Sequence, residues 1–243
     1  MCRLVAALCA RPRSMSHALV HAPRSLRALS SEHRHGWGVA THTRSRWSLA
    51  LGTPPAHEDP DFDRACEGET HAWIAHVRLA TVGSVLRENT HPFLRGRWCF
   101  AHNGTIRDID FLSRSTSRVR HDEREGSTDS ELFFAYLLSR LDDEGLTDAP
   151  ACARTDRVIT EAVRAAIDRE AFGALNFVLS DGQTLFIHRL GRTLSVHQEQ
   201  HCFIAASEPW SDEPHWSDVP ERALLRVELD DSHGVRVRTL REG

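Results

Sequence analysis

Strand-length apolar runs separated by turn residues dominate this chain, and its last third consists of little else. Residues 174–180, 184–189, 201–206, 223–229 and 234–239 each read as a strand, and Asp181-Gly182 between the first two is a strong hairpin signal. A short apolar run at residues 4–8, bounded by charge and proline, predicts a buried strand reaching almost to the N-terminus. His35-Gly36-Trp37-Gly38 opens a hairpin with strands near 37–42 and 46–51. Residues 71–77 alternate like a strand whose end delivers Arg78, and residues 98–101 form another that runs into His102-Asn103-Gly104. The helical pattern is confined to fewer places. Ser127-Thr128-Asp129-Ser130-Glu131 is a helix start, followed by apolar residues through Leu141, and a second helix spans about 155–170. Residues 16–31 are helix-compatible but interrupted at Pro23, while GTPPAHEDPDFD and the polar tract 113–126 read as surface loops. Glycine-rich βαβ alternation is missing, which argues against a doubly wound nucleotide-binding fold. The pattern predicts one α/β domain of the α+β kind over residues 1–243, with antiparallel strands in runs and helices between them.

Composition removes several functions. Thirty basic against 34 acidic residues leave a net charge of −4, which points to neither a nucleic-acid nor a membrane-surface partner. The first fifty residues are basic, with eight arginines and one acid (8 − 1 = +7). That imbalance is either a solvated helix and loop face, a docking surface for an acidic partner or a weak nucleic-acid contact, the last disfavoured by the few aromatics there. Every basic residue is arginine. The absence of lysine excludes a lysine Schiff base, a Walker-type phosphate-binding lysine and a serine–lysine hydrolase. The opening Met1-Cys2-Arg3 and LVAALCA imitate a signal peptide, but Arg11 and Arg13 follow at once, so the expected compartment is the cytoplasm. Six cysteines without a CxxC pair then read as mostly reduced core thiols. His33 and His35 lack an evident third ligand, so neither metal nor cofactor is expected.

Four features carry candidate chemistry. Cys2 becomes the first residue if Met1 is removed, which a small second side chain permits. Its thiol would then share a residue with an α-amine of pKa roughly 7.7–8.0, so nucleophile and base would be one amino acid. Asn103-Gly104 at a strand end offers a side-chain amide and a backbone N–H, the two neutral donors that an oxyanion needs. Each feature alone has a plainer reading: a chance cysteine, a tight Asn-Gly turn, a surface ion pair for Arg78 and a helix cap for Asp129.

Taken in order, MCRLVA, HGWGVA, HVRLATVG, ENTHPF, AHNGTI, STDSELFF, GALNFVLSDG and ASEPW resemble the class II glutamine amidotransferases of the N-terminal-nucleophile hydrolase superfamily. The likeness runs from Cys2 to about Pro209 and is nearest to stand-alone members that hydrolyse γ-glutamyl amides. It implies a four-layer αββα fold of antiparallel sheets between helices. It implies Cys2 as nucleophile and base, working through a γ-glutamyl thioester, with Asn103 and Gly104 as the oxyanion hole. Arg78 and Thr81 would contact the substrate α-carboxylate and Asp129 its α-ammonium. The partner is then a small molecule, glutamine or a γ-glutamyl amide. An acceptor synthase receiving ammonia, or a non-catalytic amino-acid-binding role on the same scaffold, are alternatives. Leu79 and Val82 replace a tryptophan and a histidine common in the synthases, and His35 an aspartate common in the stand-alone members.

Overall fold

The computed structural model describes residues 2–43, 45–212, 215–230 and 234–240; Met1, whose removal the sequence reading expects, lies outside them. Thirteen strands occur among these residues: β1 Arg3–Arg13, β2 Trp37–Thr43, β3 Arg46–Gly52, β4 Thr70–Val77, β5 Phe93–Arg95, β6 Trp98–Ile106, β7 Gly173–Ser180, β8 Thr184–His188, β9 Ser195–Gln198, β10 Cys202–Ala206, β11 Ser217–Asp218, β12 Leu224–Leu229 and β13 Val235–Leu240. The helices are α1 Leu26–Leu29, α2 Pro60–Ala65, α3 Ile109–Ser115, α4 Arg118–Asp122, α5 Asp129–Asp143 and α6 Ala153–Ile167, with a π-helical turn at His17–His21. A seven-stranded sheet runs β11-β9-β10-β1-β4-β2-β3 and a six-stranded one β13-β12-β8-β7-β6-β5. Every pairing among the described residues is antiparallel.

The two-residue period of a strand assigns each sheet its inner and outer faces. Along β1, Leu4, Ala6 and Leu8 enter a core shared with Cys99 and Ala101 of β6 and Val178 of β7, which is the space between the sheets. Val5, Ala7 and Cys9 face the other way, against Ala18, Leu19, Leu26 and Phe62. On the far side, Trp98 and Phe100 of β6 pack with Phe133, Phe134 and Leu137 of α5 and with Ile159 and Val163 of α6. Each aromatic side chain fully buried there contributes about 1.5–3 kcal/mol. The result is four layers: helices, sheet, sheet, helices.

Three sequence expectations need correction. The proline- and acid-rich loop ends in α2, because Asp59 Oδ1 accepts the Asp61 N–H and Pro60 stands in the first turn, where a missing N–H costs nothing. The polar tract holds the end of α3 and all of α4, each started by a side-chain cap, Asp108 to the Phe111 N–H and Ser117 to the Arg120 N–H. Most cysteines are free, Cys2, Cys66, Cys99 and Cys152, but Cys9 and Cys202 form a disulfide, and Cys152 is exposed rather than in the core. The pairing has a simple origin: the β1–β10 register sets Cys9 directly opposite Cys202. The basic first fifty residues are largely neutralised. Arg3, Arg13, Arg24, Arg27 and Arg34 pair with Glu208, Glu199, Asp212, Asp63 and Glu58, which favours the solvated-face reading.

Candidate active site

Cys2 immediately precedes β1. The β1–β4 register pairs Arg3 with Val77 and Leu4 with His76, so one further step sets Cys2 across from Arg78. Alternation places both on the inter-sheet side, since Leu4 lies in that core. The Cys2 thiol accepts the Leu79 N–H at 3.4 Å and lies 3.6 Å from the Leu79 carbonyl, to which it donates. Burial pushes the thiol pKa up; the Leu79 N–H, the chain terminus and Arg78 act against that rise, and Asp129 adds to it.

Arg78 continues β4 into the site. Its N–H donates to Gly36 O at 2.8 Å and its carbonyl accepts the His35 N–H at 2.9 Å, so the two residues leading into β2 fix its backbone. The buried guanidinium donates to the carbonyls of Ser84 (2.9 Å), Val82 (2.8 Å) and Gly83 (3.2 Å), holding the segment that follows it in a ring. Burial lowers its pKa, while Cys2 and Asp129 oppose the shift. His35 Nδ1 accepts the Ala80 N–H at 2.9 Å and pins the same segment. Thr81 is exposed, its hydroxyl 3.4 Å from that of Thr105 on β6.

Asn103 and Gly104 are not a tight turn. They lie inside β6, opposite Asn176 and Leu175 of β7. Asn103 shares the inter-sheet face with Cys99 and Ala101, and its Nδ2 donates to Ser207 Oγ at 3.2 Å. Its Oδ1 is buried without a partner among the described residues. Gly104 has no room for a side chain, because a Cβ would stand 2.1 Å from Ala174 O and 2.6 Å from His102 Nε2. Asp129 is not the helix cap either. Thr128 caps α5 through the Glu131 N–H, freeing Asp129 to reach back, where its Oδ2 accepts the Ile106 N–H at 2.7 Å. Asp129, Arg78 and Cys2 are near enough to act on one another's charge.

Two further buried polar residues, to which the sequence assigns no role, tie these elements together. Ser207 Oγ also accepts the Leu4 N–H at 3.0 Å, tying the strand that carries Cys2 to Asn103. His102 is fully buried between β6 and α5; Ala174 O can only accept, so Nε2–H donates to it at 3.1 Å and Nδ1 accepts the Ser130 hydroxyl at 2.8 Å. Beneath the site the His76 and His91 rings meet at a tilt of 38° with centroids 4.4 Å apart, and burial pushes His76 down to about 3 and His91 well below the usual imidazole range. No group of three His, Cys, Asp or Glu side chains able to hold a metal occurs among the described residues. No helix among them is long and apolar enough to cross a membrane.

Residues 1–212 match the model for class-II glutamine amidotransferases, and the chain belongs to that family. It is 30% identical to the γ-glutamyl-hercynylcysteine sulfoxide hydrolase of Mycolicibacterium smegmatis, over 97% of this chain and 98% of that one. It is 26% identical to a probable glutamine amidotransferase of Saccharomyces cerevisiae, over 93% and 82% of the two chains. Among solved structures, a class-II domain protein from Silicibacter pomeroyi superposes with a TM-score of 0.68 at 20% identity, covering 99% and 100% of the two chains. The glutamine phosphoribosylpyrophosphate amidotransferase of Bacillus subtilis also gives 0.68, at 15% identity, with half of its length matched. These likenesses establish the N-terminal-nucleophile amidotransferase fold, and the relatives are hydrolases and amidotransferases, so the chain is an enzyme of that class.

Proposed function

We propose that this enzyme hydrolyses a γ-glutamyl amide through a thioester on Cys2, in the cytoplasm and without an added cofactor or metal. The single observation that carries the reading is that Cys2 and Arg78 face each other on the inter-sheet side, within electrostatic reach of Asp129 at the start of α5, with Asn103 on the facing sheet. In the mature chain, Met1 is gone and the Cys2 α-amine takes the thiol proton. The thiolate sulfur attacks the γ-carbonyl carbon, and the oxygen gathers negative charge against Asn103 Nδ2–H and the Gly104 N–H. The amine leaves with the proton held by the α-ammonium. Water, deprotonated by the same amine, then attacks the thioester and releases glutamate. Two preorganised donors of this kind are worth about 2.7–4 kcal/mol each at the transition state.

The amino-acid head fits a clamp of opposite charge. Asp129 Oδ1, not engaged by Ile106, receives the α-ammonium. The guanidinium N–H groups of Arg78 that the 82–84 carbonyls do not use, with the Thr81 hydroxyl, receive the α-carboxylate. The end-to-end match to a γ-glutamyl-hercynylcysteine sulfoxide hydrolase supports a γ-glutamyl derivative of a larger amine as substrate over free glutamine. Intact mass spectrometry with 6-diazo-5-oxo-norleucine tests the mechanism. The expected result is a chain lacking Met1 that gains one adduct, lost in Cys2→Ala. Labelling that survives Cys2→Ala, or an active chain that retains Met1, overturns it.

A further inference from the structure

Ser207 is the joint between the two sheets at the candidate site. Its position follows from register: β10 pairs with β1 so that Val5 faces Ala206, and one step further Leu4 faces Ser207. The backbone makes that pairing, with the Ser207 N–H donating to Leu4 O at 2.9 Å. The side chain makes the other half. Ser207 Oγ accepts the Leu4 N–H at 3.0 Å and, with its second lone pair, one Nδ2–H of Asn103 at 3.2 Å. Leu4 is two residues from the thiol on the seven-stranded sheet, and Asn103 is the side-chain donor on the six-stranded one. The hydroxyl is buried, so no solvent competes for these bonds.

A carboxamide has a donor end and an acceptor end of nearly equal shape, and its neighbours alone decide which end faces where. Asn103 Oδ1 has no partner among the described residues, so nothing on that side holds the group. We propose that Ser207 is a positioning residue for the oxyanion hole: its hydroxyl fixes the Asn103 amide with Nδ2 toward the reacting carbonyl, in register with the Cys2 strand. Without the hydroxyl the amide is free to turn Oδ1, an acceptor, toward the developing negative charge. The inference rests on the proposed hydrolase reading for its catalytic consequence, but the orientation of the amide is a structural claim independent of it.

The test combines kinetics with side-chain amide NMR on the full chain. Asn103→Ala should lower kcat by about 10²–10³-fold, the usual cost of one oxyanion donor. Ser207→Ala should lower kcat by at least about tenfold with KM held within about twofold, since the oxyanion exists in the transition state and not in bound substrate. In an Asn103→Ala background, adding Ser207→Ala should change kcat by less than about twofold, because the two act as one unit. The Asn103 side-chain NH₂ signals, assigned by their loss in Asn103→Ala, should be protected from solvent exchange in the native chain and lose that protection in Ser207→Ala. Equal losses in both backgrounds, or Asn103 signals unmoved by Ser207→Ala, overturn the proposal. If Ser207→Ala does not fold, Ser207→Cys keeps the shape with a much weaker acceptor and carries the same comparisons. A native chain that releases no glutamate from any γ-glutamyl amide would defeat the hydrolase reading, while the NMR comparison would still decide the role of Ser207.

Discussion

The Cys2 thiol and the Leu79 peptide are bonded in both directions, the N–H to sulfur at 3.4 Å and the thiol to the carbonyl at 3.6 Å. This arrangement suits a protonated thiol, and burial raises its pKa in the same sense. Cys152 is the opposite case: it is exposed, and the Thr155 N–H and hydroxyl hold its thiol below the ordinary range. The thiolate is the reactive form. Iodoacetamide, which has no amino-acid head to dock, should therefore label Cys152 before Cys2 at pH 7, with Cys2 labelling rising as pH increases. 6-Diazo-5-oxo-norleucine should reverse the order. Peptide-resolved mass spectrometry over pH 6–9 checks both, and Cys2 leading with iodoacetamide at pH 7 would contradict the thiol's environment.

Asp129→Asn separates the charge from the scaffold. The amide oxygen can still accept the Ile106 N–H, a bond of 2.7 Å in the native chain, so the β6–α5 junction should hold. What is lost is the attraction for an α-ammonium, and a hydrogen bond to a charged group is worth about 1.5–3 kcal/mol. KM for a γ-glutamyl amide should rise by about 10–100-fold with kcat changed far less. Steady-state glutamate release and a thermal melt check it together. Unchanged KM in a folded variant would remove Asp129 from the clamp.

The buried histidines set an acid limit on stability. Burial pushes His76 down to about 3 and His188 and His33 to about 4, and it lowers His91 and His102 as well. In the unfolded chain each imidazole titrates near ~6.5. Between that value and the folded one, the unfolded state binds more protons, so stability is intact above about pH 6.5 and falls as pH drops. The loss approaches about 1.4 kcal/mol per pH unit for each such histidine. Urea midpoints measured from pH 7.5 to 5 should decline steadily below 6.5, and a flat profile would mean these rings are hydrated in the native state.

Much of this was readable in the sequence, and the omissions have two causes. Period-two alternation placed β1, β2, β3, β4 and most of the final strands, and continuing it two residues back from Leu4 already assigns Cys2 to the inter-sheet face. Asn103 and Asp129 could be singled out as candidates because each stands in a motif at a fixed offset from a strand or a helix start. Ser207 and the Cys9–Cys202 pair were not, because both depend on which residue of β10 faces which residue of β1. Register between strands nearly two hundred residues apart has no local signal. The short helices α3 and α4 escaped for a different reason: single capping bonds start them, and α4 has no buried residue to mark a periodic face.

Gly104→Ala gives the most direct test of how tightly β6, the strand that carries the proposed oxyanion donors, is packed. The added methyl would stand 2.1 Å from Ala174 O and 2.6 Å from His102 Nε2, and carbonyl oxygens in the middle of a β-ladder cannot retreat. Relief requires separating β6 from β7, which breaks the Thr105–Ala174 step of the ladder and the His102 bond to Ala174 O. Overpacking of this kind costs typically about 1–3 kcal/mol. The displacement also moves the Gly104 N–H and, through His102 and Ser130, the start of α5 that carries Asp129. The variant should therefore lose stability and at least about 10²-fold in kcat, as for a missing oxyanion donor. Gly96→Ala, at a turn glycine whose Cβ meets nothing within 4 Å, serves as the control for backbone strain alone, because its φ is +56°. A Gly104→Ala enzyme with native kcat would show that β6 does not present its backbone to the reacting carbonyl.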